Sequence, residues 1–218
     1  MDPAVLGTNP TLATYVTVGL LATLPLLFVA MTCFTRFVIV FAMLRHGLGL
    51  QQSPPNIVLV ALSLLLTLFV MQPVFERLQS EALTPFLGGK LTLAQAADAA
   101  EAPLREYMSA QVREQELAAV LEIAPAPTAD AAAEPPLASL TVAFLLGELR
   151  IAFQMGFFLL LPFLLIDLVV SSILMGLGMI MVPPQSISLP LKVLVFLLVD
   201  GWILLTQSVV GSIHGAGP

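Results

Sequence analysis

Four apolar runs, at residues 11–44, 57–75, 137–182 and 187–213, narrow most strongly what this chain can fold into. The first is apolar except for Arg36, and as one helix it would be roughly 51 Å long. A bilayer core is only about 30 Å thick, so this run is too long for a plain span, and Pro25 is expected to kink it. The second run has the length of one span. The third is interrupted only by Glu148, Arg150 and Asp167. Composition agrees: 58% of residues are hydrophobic, 10% are charged and the mean hydropathy is +0.99. Soluble domains carry about a quarter of their residues as charges, so an isolated water-soluble monomer is excluded. The chain must bury its apolar surface in a membrane or against an equivalent apolar partner.

The charge is as segregated as the hydropathy. Arg77, Lys90, Arg105 and Arg113 face ten acidic residues between Val74 and Pro136, and that window accounts for the whole net charge of −6. No basic run exists, so nucleic acid has no electrostatic footprint here. The organisation expected is all-α, with two long helical hairpins made of four main, kinked hydrophobic segments around a small polar helical insert. The boundaries read as 1–75 for the N-terminal helix and first hairpin and 76–123 for the acidic insert on the extracytoplasmic side. An Ala/Pro linker follows at 124–138, then the second hairpin at 139–218. Within the insert, Leu104, Met108 and Val112 recur at helical steps, and Pro103 is suited to the first turn of that helix. Both hairpin tips carry a Pro-Pro-polar sequence, Pro54-Pro55-Asn56 and Pro183-Pro184-Gln185, each expected to precede a helix. Arg45 near the first tip votes for a cytoplasmic tip. The first ten residues lack a positive n-region, and a cleaved signal peptide is not expected.

Catalytic signatures are missing. There is no G-x-x-x-x-G-K-[ST], H-E-x-x-H, C-x-x-C or G-x-S-x-G, and a single cysteine, Cys33, excludes an internal disulfide. No enzyme, cofactor or metal site is expected. The informative polar residues are instead Arg36, Glu148, Arg150, Asp167, Lys192 and Asp200, lodged in apolar sequence where each costs about 2.5–3.5 kcal/mol unless paired. If the second hairpin turns between Pro184 and Gln185, Asp167 and Lys192 differ in height by roughly 15 Å, and Asp167 faces Asp200. The partners are then expected on the other hairpin or on another chain, with inter-subunit pairs favoured; the alternative is that some charges snorkel or neutralise. Small residues four apart (Ala143/Gly147, Ala152/Gly156, Ser172/Gly176) fit close helix packing.

The sequence Met175-Gly176-Leu177-Gly178-Met179-Ile180-Met181-Val182-Pro183-Pro184 is too rich in glycine and proline for a regular helix. Methionine is unbranched and adaptable, so two readings stand. The segment is a deformable apolar constriction in a ring of subunits, or it fills gaps in the core, which composition alone favours.

Long stretches of the chain resemble the FliP/SctR family of type III export-gate subunits. They include Phe34-Thr35-Arg36-Phe37-Val38-Ile39-Val40, Gln51-Gln52-Ser53-Pro54-Pro55-Asn56 and Pro103-Leu104-Arg105-Glu106-Tyr107-Met108. Further matches are Gly147-Glu148-Leu149-Arg150-Ile151-Ala152-Phe153-Gln154, Leu161-Pro162-Phe163 through Asp167, Ile187-Ser188-Leu189-Pro190-Leu191-Lys192 and Val199-Asp200-Gly201-Trp202. The resemblance implies a non-enzymatic channel subunit for unfolded flagellar proteins. About five copies would assemble helically with FliQ- and FliR-type subunits around a central channel. FlhA- and FlhB-type export proteins would stand nearby, at the flagellar basal body in the bacterial inner membrane, with much of the gate on the extracytoplasmic side. It further implies that Met175, Met179, Ile180 and Met181 form a pore gasket, the family often having methionine where Ile180 stands, and that Glu148, Asp167 and Lys192 serve subunit contacts. An injectisome gate for virulence effectors is the alternative within that class. A small secondary transporter using Asp167 or Lys192 as an ion relay is the contrasting one, and the size of the purified oligomer separates the two classes.

Overall fold

The computed structural model describes residues 10–124 and 134–215, and all regular structure among them is helical. Most of the 124–138 linker and the first nine residues lie outside the described residues. Helices α1 (Pro10–Met31) and α2 (Phe34–Leu48) share the first apolar run. The run bends by 79° at Thr32–Cys33, and α1 carries Pro25 within it. The break falls at Thr32 because its hydroxyl donates to the Phe28 carbonyl (2.6 Å) and accepts from the Phe34 N–H (3.3 Å), replacing ladder bonds with side-chain ones. Helix α2 ends on Gly49, whose left-handed backbone (φ 79°) lets the Gly49 and Leu50 N–H groups close onto His46 and Arg45 carbonyls.

Helix α3 (Asn56–Val70) starts on the residue after Pro54-Pro55. It stops at Met71, where the chain bends by 68° into α4 (Gln72–Leu87), which contains a π-helical turn at Gln79–Leu83. Pro73 explains this break inside a run that reads as one span, because it has no N–H to continue the ladder. Helix α5 (Leu93–Gln111) opens with a capping box: Gln95 N–H donates to the Thr92 hydroxyl, and Thr92 N–H donates to the Gln95 side chain. Pro103 therefore lies inside α5 and not in its first turn; the Thr92 cap, well upstream of it, decides where the helix begins. After α6 (Glu114–Ile123) comes α7 (Leu137–Gly176), 40 residues and so roughly 60 Å long. Helices α8 (Gln185–Leu198) and α9 (Gly201–Ile213) split the last apolar run with a 65° bend.

Helix α2 lies along α7 and is the centre of the fold. Phe37, Val40, Phe41 and Leu44 of α2 are fully or almost fully buried, with Met71, Ala152, Phe163 and, from α9, Val209 packed around them. Each of the two helices contributes a glycine that makes room for a side chain of the other. A Cβ on Gly47 would lie 2.7 Å from the Leu160 side chain, and one on Gly156 would collide with the Met43 thioether. Ala143, Gly147, Ala152 and Gly156 are buried as the small-residue spacing requires, whereas Ser172 and Gly176 face outward. A second cluster, Met31, Met108, Leu140 and Phe144, seats the insert on the N-terminal part of α7. There Tyr107 packs edge-on against Phe144 (5.7 Å), and burial pushes its phenol above its usual pKa.

The periphery is strongly apolar. Leu65 and Phe69 on α3, Phe158 and Leu168 on α7, and Leu198 and Leu204 on α8 and α9 are all exposed. Among the described residues, helix α7 alone is long and apolar enough to cross a membrane, and the number rises to four if each bent pair counts as one span. This apolar exterior makes the protein membrane-associated.

Candidate functional site

The charges lodged in apolar sequence resolve into two networks. Arg36, wholly buried on α2, holds Glu148 of α7 through two of the three branches of its guanidinium: Nε donates to Oε2 at 2.8 Å and Nη2 donates to Oε1. Its third branch donates to the Ser212 hydroxyl of α9 at 2.9 Å. One side chain thus ties three helices together with bidentate geometry. Arg36 finds its carboxylate in the second apolar block, not across its own hairpin.

The second network overturns the height-mismatch expectation. Lys192 on α8 donates to Asp167 of α7 at 2.5 Å and to the Gly47 carbonyl at 3.0 Å, while the Ser188 hydroxyl donates to Asp167 at 2.6 Å. Asp167 and Lys192 meet because the hairpin does not turn at Pro184. Helix α7 ends at Gly176 and α8 begins at Gln185, so residues 177–184 are spent on the turn. Measured from the helix ends, Asp167 and Lys192 stand at nearly equal heights. Asp167 does not face Asp200, which is exposed at the α8–α9 break. These two pairs therefore form within one chain. Arg150, expected in apolar surroundings, is half-exposed and reaches Glu116 of the insert at 3.2 Å.

The burial of the second pair is lopsided. The Lys192 side chain is 6% exposed and that of Asp167 36%. Asp167→Ala strands an ammonium whose remaining partner is one carbonyl and should cost about 3 kcal/mol. Lys192→Ala leaves a carboxylate that keeps Ser188 and reaches water, and should cost about 1 kcal/mol. Thermal unfolding in detergent gives the ranking; equal losses, or the reverse order, would contradict the lopsided pair.

Core gap-filling by the methionine-rich turn is likewise overturned. After α7 the chain turns on Gly178 (φ 76°), with Met179 N–H donating to the Leu174 carbonyl at 2.9 Å. Met175 is 67% exposed, Met179 43%, Ile180 87% and Met181 96%. Nothing among the described residues covers them; the backbone is ordered by its own bonds while the side chains project outward. Pro183 and Pro184 end this turn, Pro54 and Pro55 end the other tip, and an open cleft lies between the tips, lined by His46, Gln51, Gln52, Gln185, Asp167 and Lys192. Arg45 closes the first tip by donating to Asn56 Oδ1 at 2.5 Å and to the Pro54 carbonyl at 3.3 Å.

Sequence reading missed Ser188, Ser212 and the Gly47 carbonyl. Serine four residues before Lys192 on one helix was an available signal. The other two contacts are long-range and carry no local signature.

Comparison with known proteins gives a single result. The model of the FliP family matches residues 17–209. A flagellar biosynthetic protein FliP from Bacillus subtilis is 45% identical over 188 residues, covering 86% of this chain and 85% of the relative. One from Caulobacter vibrioides is 46% identical over 204 residues, covering 92% and 77%. One from Aquifex aeolicus is 41% identical over 196 residues, covering 88% and 82%.

Proposed function

This chain belongs to the FliP family, and on that premise we propose that it is the repeated core subunit of the flagellar protein export gate. In this reading several copies, about five in a head-to-tail helical assembly, join FliQ- and FliR-type subunits around a channel in the bacterial inner membrane. Unfolded flagellar proteins pass through it, and much of the assembled gate stands on the extracytoplasmic side. FlhA- and FlhB-type proteins supply substrates and energy, since the chain has no nucleotide-binding motif. The relatives' flagellar names favour this role over an injectisome one.

The observation that carries the reading is the uncovered turn after α7, with Met179, Ile180 and Met181 exposed together. A turn that stood in water would gain nothing from three large apolar side chains on a backbone reversed at Gly178. Repeated around an axis, these side chains meet one another, exclude water and ions without fixed charge, and yield to a passing chain because thioethers repack readily. The outer faces of α3, α7, α8 and α9 are apolar enough to serve as lipid or subunit contacts. Arg36 and Glu148, satisfied internally, make each subunit rigid before assembly.

Met179→Ala with Met181→Ala should raise proton or small-ion leak several-fold across membranes carrying the assembled complex, with complex recovery unchanged. Leak equal to that of the unaltered complex would defeat the gasket role.

A further inference from the structure

Helix α8 is held at its two ends by contacts of different kinds. At its start, Ser188 and Lys192 bind Asp167 of α7, and Lys192 also binds the Gly47 carbonyl of α2. At its end, the chain turns by 65° through Asp200, whose backbone lies in the left-handed region at φ 50° and ψ 46°. Asp200 is the one non-glycine residue with positive φ among the described residues. An L-residue disfavours that conformation, aspartate less than most, so the bend carries a modest strain that contacts elsewhere offset. The Phe196 ring supplies one: it is buried, meets Trp202 edge-on at 5.5 Å and lies over Gly201, where any Cβ would collide with it. The Asp167 cluster supplies the others.

Helix α9, by contrast, is anchored independently of α8. Arg36 binds Ser212, Gln111 donates to the Ile213 carbonyl at 2.7 Å, and Leu205, Val209 and Ile213 are buried in the core. The strained residue therefore joins a fixed helix to one whose far end is latched by a few polar contacts. That far end leads directly into the methionine-rich turn.

We propose that α8 is a sprung arm: the Asp167–Ser188–Lys192 latch holds it down against the strain at Asp200, and release of the latch lets Asp200 relax toward right-handed geometry and swings the turn that carries Met179 and Met181. This rests on the gating role of that turn. Two arrangements of one packed element, biased by a local contact, make such a switch. The arm is roughly 20 Å long, so straightening even part of the bend moves the turn by a large fraction of a pore's width. Gln52 and Ser186, both exposed, line the cleft between the tips and report the motion.

The test uses the full chain in its membrane complex, with Cys33→Ala removing the single native cysteine. Nitroxide labels go on Gln52→Cys and Ser186→Cys, and pulsed-dipolar spectroscopy measures their separation. The parent should give one short distance. Lys192→Met should add a population about 10 Å longer, half the arm, and further replacing Asp200 by glycine should return it to the short distance, because glycine accepts positive φ without strain. Ser188→Ala, a milder release, should shift fewer molecules, and it carries the test if Lys192→Met does not accumulate. An unchanged distance in both latch variants, or a long population that Asp200→Gly fails to reverse, overturns the arm. Ion leak in the same variants should rise and fall with the long population. A distance change without leak would overturn the arm's part in gating and leave the Met179 and Met181 result standing on its own.

Discussion

Glu148→Ala, with Arg36 left in place, should cost about 3–5 kcal/mol of folding stability, the loss typical of a buried pair that loses one member. Arg36 is fully buried and Glu148 is 1% exposed, so neither water nor a neighbouring side chain replaces the missing carboxylate. The guanidinium keeps the Ser212 hydroxyl, which offers one acceptor for one of its branches. Arg36→Ala should be similarly damaging, since it leaves a carboxylate in the same place. The measurement is the unfolding midpoint in detergent, supported by the amount of protein reaching the membrane. Replacing both partners by apolar side chains of similar volume, Arg36→Met with Glu148→Leu, should recover most of the loss, because the desolvation of both ions is then no longer required. If the double variant were no better than either single one, the pair would be acting through something other than its mutual charge. Ser212→Ala should be far milder, about 1 kcal/mol.

The second large effect is expected at the seam between α2 and α7. Gly156→Leu puts four carbons where the first already collides with Met43. Overpacking of this kind costs about 1–3 kcal/mol, sometimes more, and here the upper end applies because the seam also carries Gly47 and Ala152. Gly156→Ala should be nearly neutral. Met43 is unbranched and can swing aside, and alanine gains about 1 kcal/mol in helix propensity over glycine. Met43→Ala should rescue Gly156→Leu by vacating the volume the leucine needs. A Gly156→Leu protein as stable as the parent would mean that the helices are not in contact there.

Much of the helical content was readable because hydropathy and turn chemistry act over a few residues. The Pro-Pro tips, the loss of regular helix over most of Met175–Pro184 (α7 runs on through Met175 and Gly176) and the small residues from Ala143 to Gly156 follow from local rules that the tertiary structure had no reason to override. The breaks were harder. Pro25, Pro162 and Pro190 lie within helices, while the sharp turns come at Thr32–Cys33, Met71 and Val199–Asp200. Packing decided which prolines were tolerated, and Thr32 broke a ladder by a side-chain bond that composition does not announce. For the site, the identities of Arg36, Glu148, Asp167 and Lys192 were legible as charges that needed partners. Their pairing was not, because a miscount of where one helix ends displaces every later residue by 1.5 Å per position.

By itself, the amino-acid sequence determined that this protein is all-helical, membrane-associated and built from two apolar blocks around an acidic insert, and its resemblance carried it to the FliP family. Those properties are sums over many residues, and no single misplaced turn changes them. Only the tertiary structure decided that the buried charges pair within the chain, that the methionine turn stands uncovered and that α8 bends away from α9 on a strained aspartate. Each of these depends on the relative placement of helices distant in sequence, and contacts such as Arg36 to Glu148 or Lys192 to Gly47 exist only once those helices are packed.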